Sequence, residues 1–582
     1  MRRGSPSFLQ RMILPTLVLS MTWASLPVAG AVIDVGVGPG CEASTLAAAL
    51  DLADDTTAAD EIRLQDGVTY SVGGTLQLTN WSSTSKGPLT ISGGYSDCLD
   101  TTREPTGFAE IENPGSGPTI LIDTTGGNTS LVTLETIEVV FADGRGIAVE
   151  GNSTVSVVDS VVLLSSAGVA VSGGASFTMS NTTLQGNGPT TSGGGVFCTD
   201  PGSEVFLQGV IRSNEATNGG GIAIVNGCEA VLQPTVDFRS NEALTGGAIF
   251  ADSGSVVSGI EGGVEFFVND ATLNGGTIAA DGMGTQVLLA GADIDASTAG
   301  FRGGAIHASN SAFVALSAHD EPCQLPGQPT YVHCPSILER SDLGSGAEDG
   351  SVVAVMSGAE VRLLQTLVTR SSLPFPDTGT MLYAAGSGSV IRTESVQVSR
   401  GIDHIAAFHA EDGAEIYIAM TTVTENYFDF NGNVFSEGVR LEGPGTRAEI
   451  HSSIFHPVSS YVATGGATFA EVDCLITSTT NGLVGTTSNV VVADPLFVSP
   501  PSDFELQRGS PAIDFCDDGL FLPTGPGLNG LARGMDDPED PQGNPGVSNA
   551  FATFDLGAYP LAAIFADGFE SGNTTAWDAS VP

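Results

Sequence analysis

The stretch HDEPCQLPGQPTYVHC, His319 to Cys334, places His319, Asp320 and Glu321 just before a segment carrying Tyr331 and His333, between Cys323 and Cys334. Imidazoles beside carboxylates can move protons, ligate a metal or hold a polar ligand. A 323–334 disulfide would close a proline-stiffened loop presenting Tyr331 and His333, with His319, Asp320 and Glu321 at its base. Loops on a rigid scaffold are where recognition concentrates. The plainer expectation is a stapled decoration with no ligand. A metal site drawn from His307, His319 and His333 lacks HxH or HxxxH spacing, so no metal is expected. His404 and His409 with Asp403, Glu411 and Asp412 form a second concentration, read as a charged turn on an acidic protein.

Glycosidic bond cleavage needs two carboxylates flanking the bond. Three adjacent Asp pairs occur, Asp54-Asp55, Asp517-Asp518 and Asp536-Asp537. The first follows a predicted helix, the others lie near the C-terminus, and all three read as solvated turns. The NTD and GHG sequences that accompany a polygalacturonase-type pair are absent. A lyase would want calcium-binding carboxylates beside an Arg or Lys base, but only Lys86 represents lysine in the chain. No catalytic residue is therefore assigned.

These side chains must be positioned by a repeating scaffold. The 582 residues include 76 Gly, and 66 Asp+Glu stand against 19 Lys+Arg, for a formal charge of −47. Such an acidic surface excludes nucleic-acid binding through a basic patch. SGGGVF at 192, NGGGIA at 218, TGGAIF at 245, NGGTIA at 274 and RGGAIH at 302 recur at steps of 26, 27, 29 and 28 residues. A period in this range signals a solenoid. Short strands with period-two alternation, broken by Gly, Asn and Ser, predict an all-β, right-handed parallel β-helix with three short strands per coil. Val196, Ile222, Ile249, Ile278 and Ile306 should form an inward aliphatic ladder, and the Asn of IRSNEA, DFRSNEA and FFVNDA should stack from coil to coil. Phe197, Ala223, Phe250, Ala279 and His307 then face outward in a column, where Phe197, Phe250 and His307 would offer a ligand-binding face for sugar rings unless a neighbouring loop covers them. Arg302 reads as a corner residue.

Phe238-Arg239-Ser240-Asn241 with Gly246-Gly247-Ala248-Ile249, and Phe266 to Asn269 with Gly275-Gly276-Thr277-Ile278, resemble the FxxN and GGA[ILV] repeats of polymorphic outer-membrane proteins. That resemblance implies a surface-exposed β-helix used in adhesion, although no barrel-like series of strands follows Pro500. GCEASTLAAALDLADD, with Leu46, Ala49, Leu50 and Ala53 on one helical face, followed by LTISGGYSDC, resembles the capping helix and first coils of pectin-lyase-like proteins. Asp494-Pro495-Leu496-Phe497, Asp503-Phe504, Gly509 to Asp514 and Asp555-Leu556-Gly557-Ala558-Tyr559 resemble the choice-of-anchor Q module of exported bacterial proteins.

Arg2, Arg3 and Arg11, an apolar run from Met12 to Ala24 and Ala29-Gly30-Ala31 read as a Sec-type signal peptide. Eight cysteines in an exported chain predict disulfides, paired in order as Cys41–Cys98, Cys198–Cys228, Cys323–Cys334 and Cys474–Cys516. The chain then divides into a signal peptide (1–31), an N-terminal cap with first coils (32–115), β-helix repeats (116–490), a choice-of-anchor Q-like module (491–560) and a tail (561–582). No cofactor is expected beyond weak, diffuse Ca2+ binding by the excess negative charge. The reading is an extracellular or cell-surface rod, capped at both ends, without catalysis, whose partners are glycans or cell-envelope components. A polysaccharide lyase or glycoside hydrolase on the same scaffold is the alternative. A carboxylate pair and a basic residue converging on one groove would favour the alternative, and a continuous polar ladder without that convergence would favour the rod.

Overall fold

The computed structural model describes residues 30–515, with short breaks of which the longest are 373–378 and 428–435, and then 527–528 and 556–558. All but the last two residues of the expected signal peptide, most of the last hundred residues and the 561–582 tail lie outside the described residues. The described residues form a right-handed parallel β-helix with, among them, one α-helix, Leu46–Ala53. Its strands make a 28-stranded sheet, a 14-stranded sheet and a six-stranded sheet, with two small hairpins besides. The 28-stranded sheet holds two neighbouring columns. Glu229–Leu232 stacks on Val256–Gly259 in one, and Asp237–Arg239 on Glu265–Phe267 in the other. The columns fuse where a strand runs through both, as in Ser176–Gln185 and Glu204–Arg212.

The six-stranded sheet corrects the expected three strands per coil. From Thr190–Ser192 to Asp342–Leu343, each coil carries a fourth short strand between the asparagine corner and the glycine pair. The glycine pair explains itself locally. Gly246 adopts φ 68°, a left-handed turn that L side chains rarely take. A Cβ on the following Gly247 would overlap the carbonyl oxygen of Gly276 one coil along. One glycine turns the chain and the next lets successive coils approach.

The core is continuous along the rod. Val196, Ile222, Ile249, Ile278 and Ile306 are fully buried and pair in register, forming the expected ladder. Phe238 stacks on Phe266 with ring centroids 5.1 Å apart. Asn187, Asn214, Asn241 and Asn269 form a buried amide ladder, each Nδ2 donating to the next Oδ1 at 2.9–3.0 Å. At the N-terminal end Leu46, Ala49 and Ala53 of the helix are buried, closing the core beside Val32–Val35 and Asp60–Gln65.

The described C-terminal residues do not cap the far end; they lie along the flank. Phe497, Phe504, Leu506, Ala512, Phe515, Leu528, Leu556 and Ala558 bury against Ile337, Leu367, Ile454 and Ile476, which occupy one register column spanning six coils. The last strand of the solenoid, Gly485–Val492, stays largely exposed.

Cys41–Cys98 and Cys198–Cys228 form as expected, with Cα separations of 5.0 and 5.9 Å. Cys334 and Cys474 are also disulfide-bonded. The side chains of Cys323 and Cys516 lie outside the described set. Among the described residues no helix is long and apolar enough to cross a membrane.

Candidate functional site

Alternation on the 14-stranded sheet sends one residue per strand outward, and the register joins them into a column: Phe197, Ala223, Phe250, Ala279 and His307. The same column continues through Ala354, Tyr383, His409 and Arg440. At the strand spacing of about 4.8 Å, the two phenylalanines stand roughly 10 Å apart. Both are half-buried, and the guanidinium of Arg145 lies 5.6 Å from the Phe197 ring centroid. His307 is only 9% exposed. Burial, reinforced by the Arg302 charge, lowers its pKa to about 4 against a weaker pull from Asp281, so it is a neutral ring at pH 7.

The polar end of this face is the candidate site. Tyr383 is held on Gly379–Ala385, His409 and Glu411 on His404–Glu411, and Glu437, Arg440 and Glu442 on Glu437–Glu442. His409 and Glu411 are two residues apart on one strand and therefore share a face. Parallel register sets Arg440 beside His409 and Glu442 beside Glu411. The Tyr383 ring lies 5.3 Å from the His409 ring, and its hydroxyl donates to Glu411. Arg440 donates through Nε and Nη2 to both oxygens of Glu437, at 2.9 and 3.0 Å, and through Nη1 to Glu442 at 2.7 Å.

The electrostatics follow from this clamp. Burial raises the Glu437 pKa, and the Arg440 bonds recover only part of that rise. Burial also works against the Arg440 cation, yet its bonds to Glu442 and Glu437 hold its pKa above the ordinary value. The side chain of Glu442 is 38% exposed and that of Arg440 26%, so the cluster is open to a ligand from outside.

Reading Asp403 to Asp412 as a charged turn is incorrect. Most of it is a strand, with Asp403, His404 and His409 at 5%, 0% and 6% exposure. The available signal was the repeat LYAA at 382, FHAE at 408 and VRLE at 439. It keeps the outward residue of the earlier coils at steps of 26 and 31 residues, but without the Gly-Gly pair that marks them.

The His319–Cys334 loop closes as an antiparallel pair. His319 N–H donates to the Cys334 carbonyl at 2.7 Å, and the Cys334 N–H returns the bond at 2.8 Å. His333 Nδ1 lies 3.4 Å from Asp320, whose side chain is fully solvated, and the Glu321 N–H points at His319 Nδ1 from 3.4 Å. The side chain of Tyr331 lies outside the described set. His307 sits on the outward column, away from this loop. Among the described residues, the group with metal-ligand spacing is instead His409, Glu411 and Glu442. A cavity of about 650 Å3 lies between the cap helix and the first coils, where Lys86 sits 5.0 Å from the Trp81 ring centroid. Among the described residues its charged lining groups are Asp51 and Lys86.

No protein-family model and no curated protein matches this chain. Solved structures of similar shape include the A-module of mannuronan C-5 epimerase AlgE6 from Azotobacter vinelandii, at 12% identity and a TM-score of 0.27 over 74% of this chain and 94% of that one. The PL6 family alginate lyase AlyGC matches at 9% identity and a TM-score of 0.22, over 78% and 90%. The catalytic domain of a GH87 α-1,3-glucanase in complex with nigerose matches at 13% and 0.18, over 67% and 61%. The likeness is one of fold alone.

Proposed function

We propose that this chain is an exported β-helical rod that binds glycan along the outward face of its 14-stranded sheet. The observation that carries this reading is the single column in register that places Phe197, Phe250, Tyr383, His409 and Arg440 on one face. Aromatic faces two coils apart suit sugar rings, while Tyr383 and His409, 3% and 6% exposed, frame the polar end and the more open Arg440 and Glu442 supply directional polar contacts. Disulfides support an oxidising compartment. The FxxN and GGA[ILV] repeats and the choice-of-anchor Q-like residues support a place at the cell surface.

Glycan cleavage is the second reading, favoured by one observation: the Glu437 and Glu442 carboxylates meet at the Arg440 guanidinium. Against it, the guanidinium is committed to both carboxylates and His409 is almost fully enclosed. That arrangement suits a fixed recognition surface better than a proton shuttle.

The test is affinity electrophoresis of the full mature chain through gels containing neutral or acidic polysaccharides, with new reducing ends assayed in parallel. Retardation by at least one glycan, weakened in Phe197→Ala/Phe250→Ala and in Tyr383→Phe without new ends, is the expected result. Absence of retardation across the panel overturns binding. New reducing ends that vanish in Glu442→Gln replace the binding reading with the enzymatic one.

A further inference from the structure

We infer that His409, Glu411 and Glu442 form a binding site for one divalent transition-metal cation of the zinc or manganese class. Their donor atoms, one imidazole nitrogen and two carboxylate oxygens, all lie within 4.8 Å of one another. Bonds of about 2.0–2.2 Å need such donors roughly 3–3.5 Å apart. Small rotamer shifts of the two glutamates supply that contraction, because the backbone already aims all three at one point.

Three features make this more than an acidic patch. First, the fold builds the convergence: His409 and Glu411 alternate onto one face, and Glu442 is the direct parallel partner of Glu411. Like charges placed directly opposite each other on neighbouring strands are destabilising, and a bound cation reverses the sign of that interaction. Second, the charge count fits. Glu411, Glu437 and Glu442 with the single cation Arg440 leave two negative charges beside the His409 ring. One divalent ion cancels them. Third, the carboxylate ligands are oriented from outside, Glu411 by the Tyr383 hydroxyl and Glu442 by Arg440 Nη1 at 2.7 Å. Outer contacts of this kind set ligand orientation and tune affinity.

The donor set also selects the metal. An imidazole nitrogen that is 6% exposed suits zinc or manganese. Calcium takes six to eight oxygen donors and gains nothing from the ring. The inference stands on the ligand geometry alone, so failure of glycan binding leaves it untouched.

The experiment is calorimetric titration of the chelator-treated full mature chain with ZnCl2, MnCl2 and CaCl2, with bound metal counted by elemental analysis. One equivalent of Zn2+ or Mn2+ is expected to bind. Stoichiometric binding should be lost in His409→Ala and in the more exposed Glu442→Gln, both checked for folding by circular dichroism. Tyr383→Phe should weaken binding about 10-fold while preserving stoichiometry. Two results overturn the site: no stoichiometric Zn2+ or Mn2+ uptake by the wild type, or uptake unchanged by both ligand substitutions.

Discussion

Asn214 is tied twice to Asn241. Its side-chain Nδ2 donates to Asn241 Oδ1 at 3.0 Å, and its backbone N–H donates to the same oxygen at 3.1 Å. Asn241 repeats both bonds to Asn269, and its own Nδ2 also reaches the Ile211 carbonyl at 2.8 Å. An asparagine here satisfies the backbone of one coil and the side chain of the previous coil in a space closed to water. Asn241→Leu removes the acceptor and orphans buried donors, each costing about 1–3 kcal/mol. Denaturant unfolding should show a loss of several kcal/mol. Asn481→Leu, at an exposed turn outside the left-handed region, should change stability by less than about 0.5 kcal/mol.

The glycine pairs separate two kinds of cost. At Gly254, φ is 77° and nothing crowds a Cβ closer than 3.9 Å, so Gly254→Ala carries only left-handed strain, about 1–2 kcal/mol. At Gly247 the added carbon meets backbone of the next coil, which cannot move without breaking the stack. Gly247→Ala should therefore cost more than Gly254→Ala in thermal unfolding. Equal losses would show that the coils can separate locally.

Cys198–Cys228 spans 30 residues, about one coil, and ties neighbouring coils of the solenoid together. Closing a loop of this order stabilises a fold by about 2–4 kcal/mol, mainly by restricting the unfolded chain. The Cys198→Ser/Cys228→Ser protein should lose stability in that range while retaining its β-rich circular dichroism.

Two pairs of groups with opposed effects on stability titrate between pH 6.5 and 4. Burial lowers the pKa of His404 and of His307 to about 4 from an ordinary 6.5. The Ser371 backbone opposes the shift at His404; Arg302 adds to it and Asp281 opposes it at His307. The unfolded chain then binds more protons below pH 6.5, and stability falls as pH drops toward 4. Asp293 and Asp342 behave oppositely, raised to about 6 from 3.8. Desolvation by the surrounding chain leads at Asp293, aided by Asp295, Glu265 and Glu339 and opposed by Arg340. Because the residue is exposed, solvent screens the effect, so that Asp342 carries the larger share. At Asp342 burial outweighs hydrogen bonds from Ser372. Here the folded state takes up protons first, so stability rises as pH falls from 6 to 3.8. Asp293→Asn/Asp342→Asn should remove the compensation. Its melting temperature, measured from pH 7 to 4, should fall more steeply than that of the wild type.

Where the repeat keeps its period, between Gly193 and Ala308, sequence alone located the ladder isoleucines, the stacked asparagines and the outward Phe197 column. Each is a strict function of spacing. The fourth strand escaped because segments such as Glu242–Thr245 and Asp270–Asn274 are short and polar outside, with only Ala243 and Ala271 buried. The coils of Tyr383, His409 and Arg440 keep steps of 26 and 31 residues but lack the Gly-Gly pair that marks the earlier coils, so no motif pointed to the register linking them. His409 looked like a turn residue because its acidic neighbours outweighed the alternation of HIAAFHAE. The course of the C-terminal module along the flank depends on Ile337, Leu367, Ile454 and Ile476, whose outward direction is a tertiary fact.

That lateral course decides how the molecule would carry load. Ala558 N–H bonds Thr422 Oγ1 at 2.9 Å, Gly557 N–H bonds the Ser452 carbonyl at 3.0 Å, and Gln365 Nε2 bonds the Gly527 carbonyl at 3.2 Å. A tug on the C-terminal segment is shared by several turns of the spring at once, in shear. It does not fall first on the exposed strand Gly485–Val492, where bonds would break one at a time, so a molecule tethered through this segment would slip as a block before it unzipped.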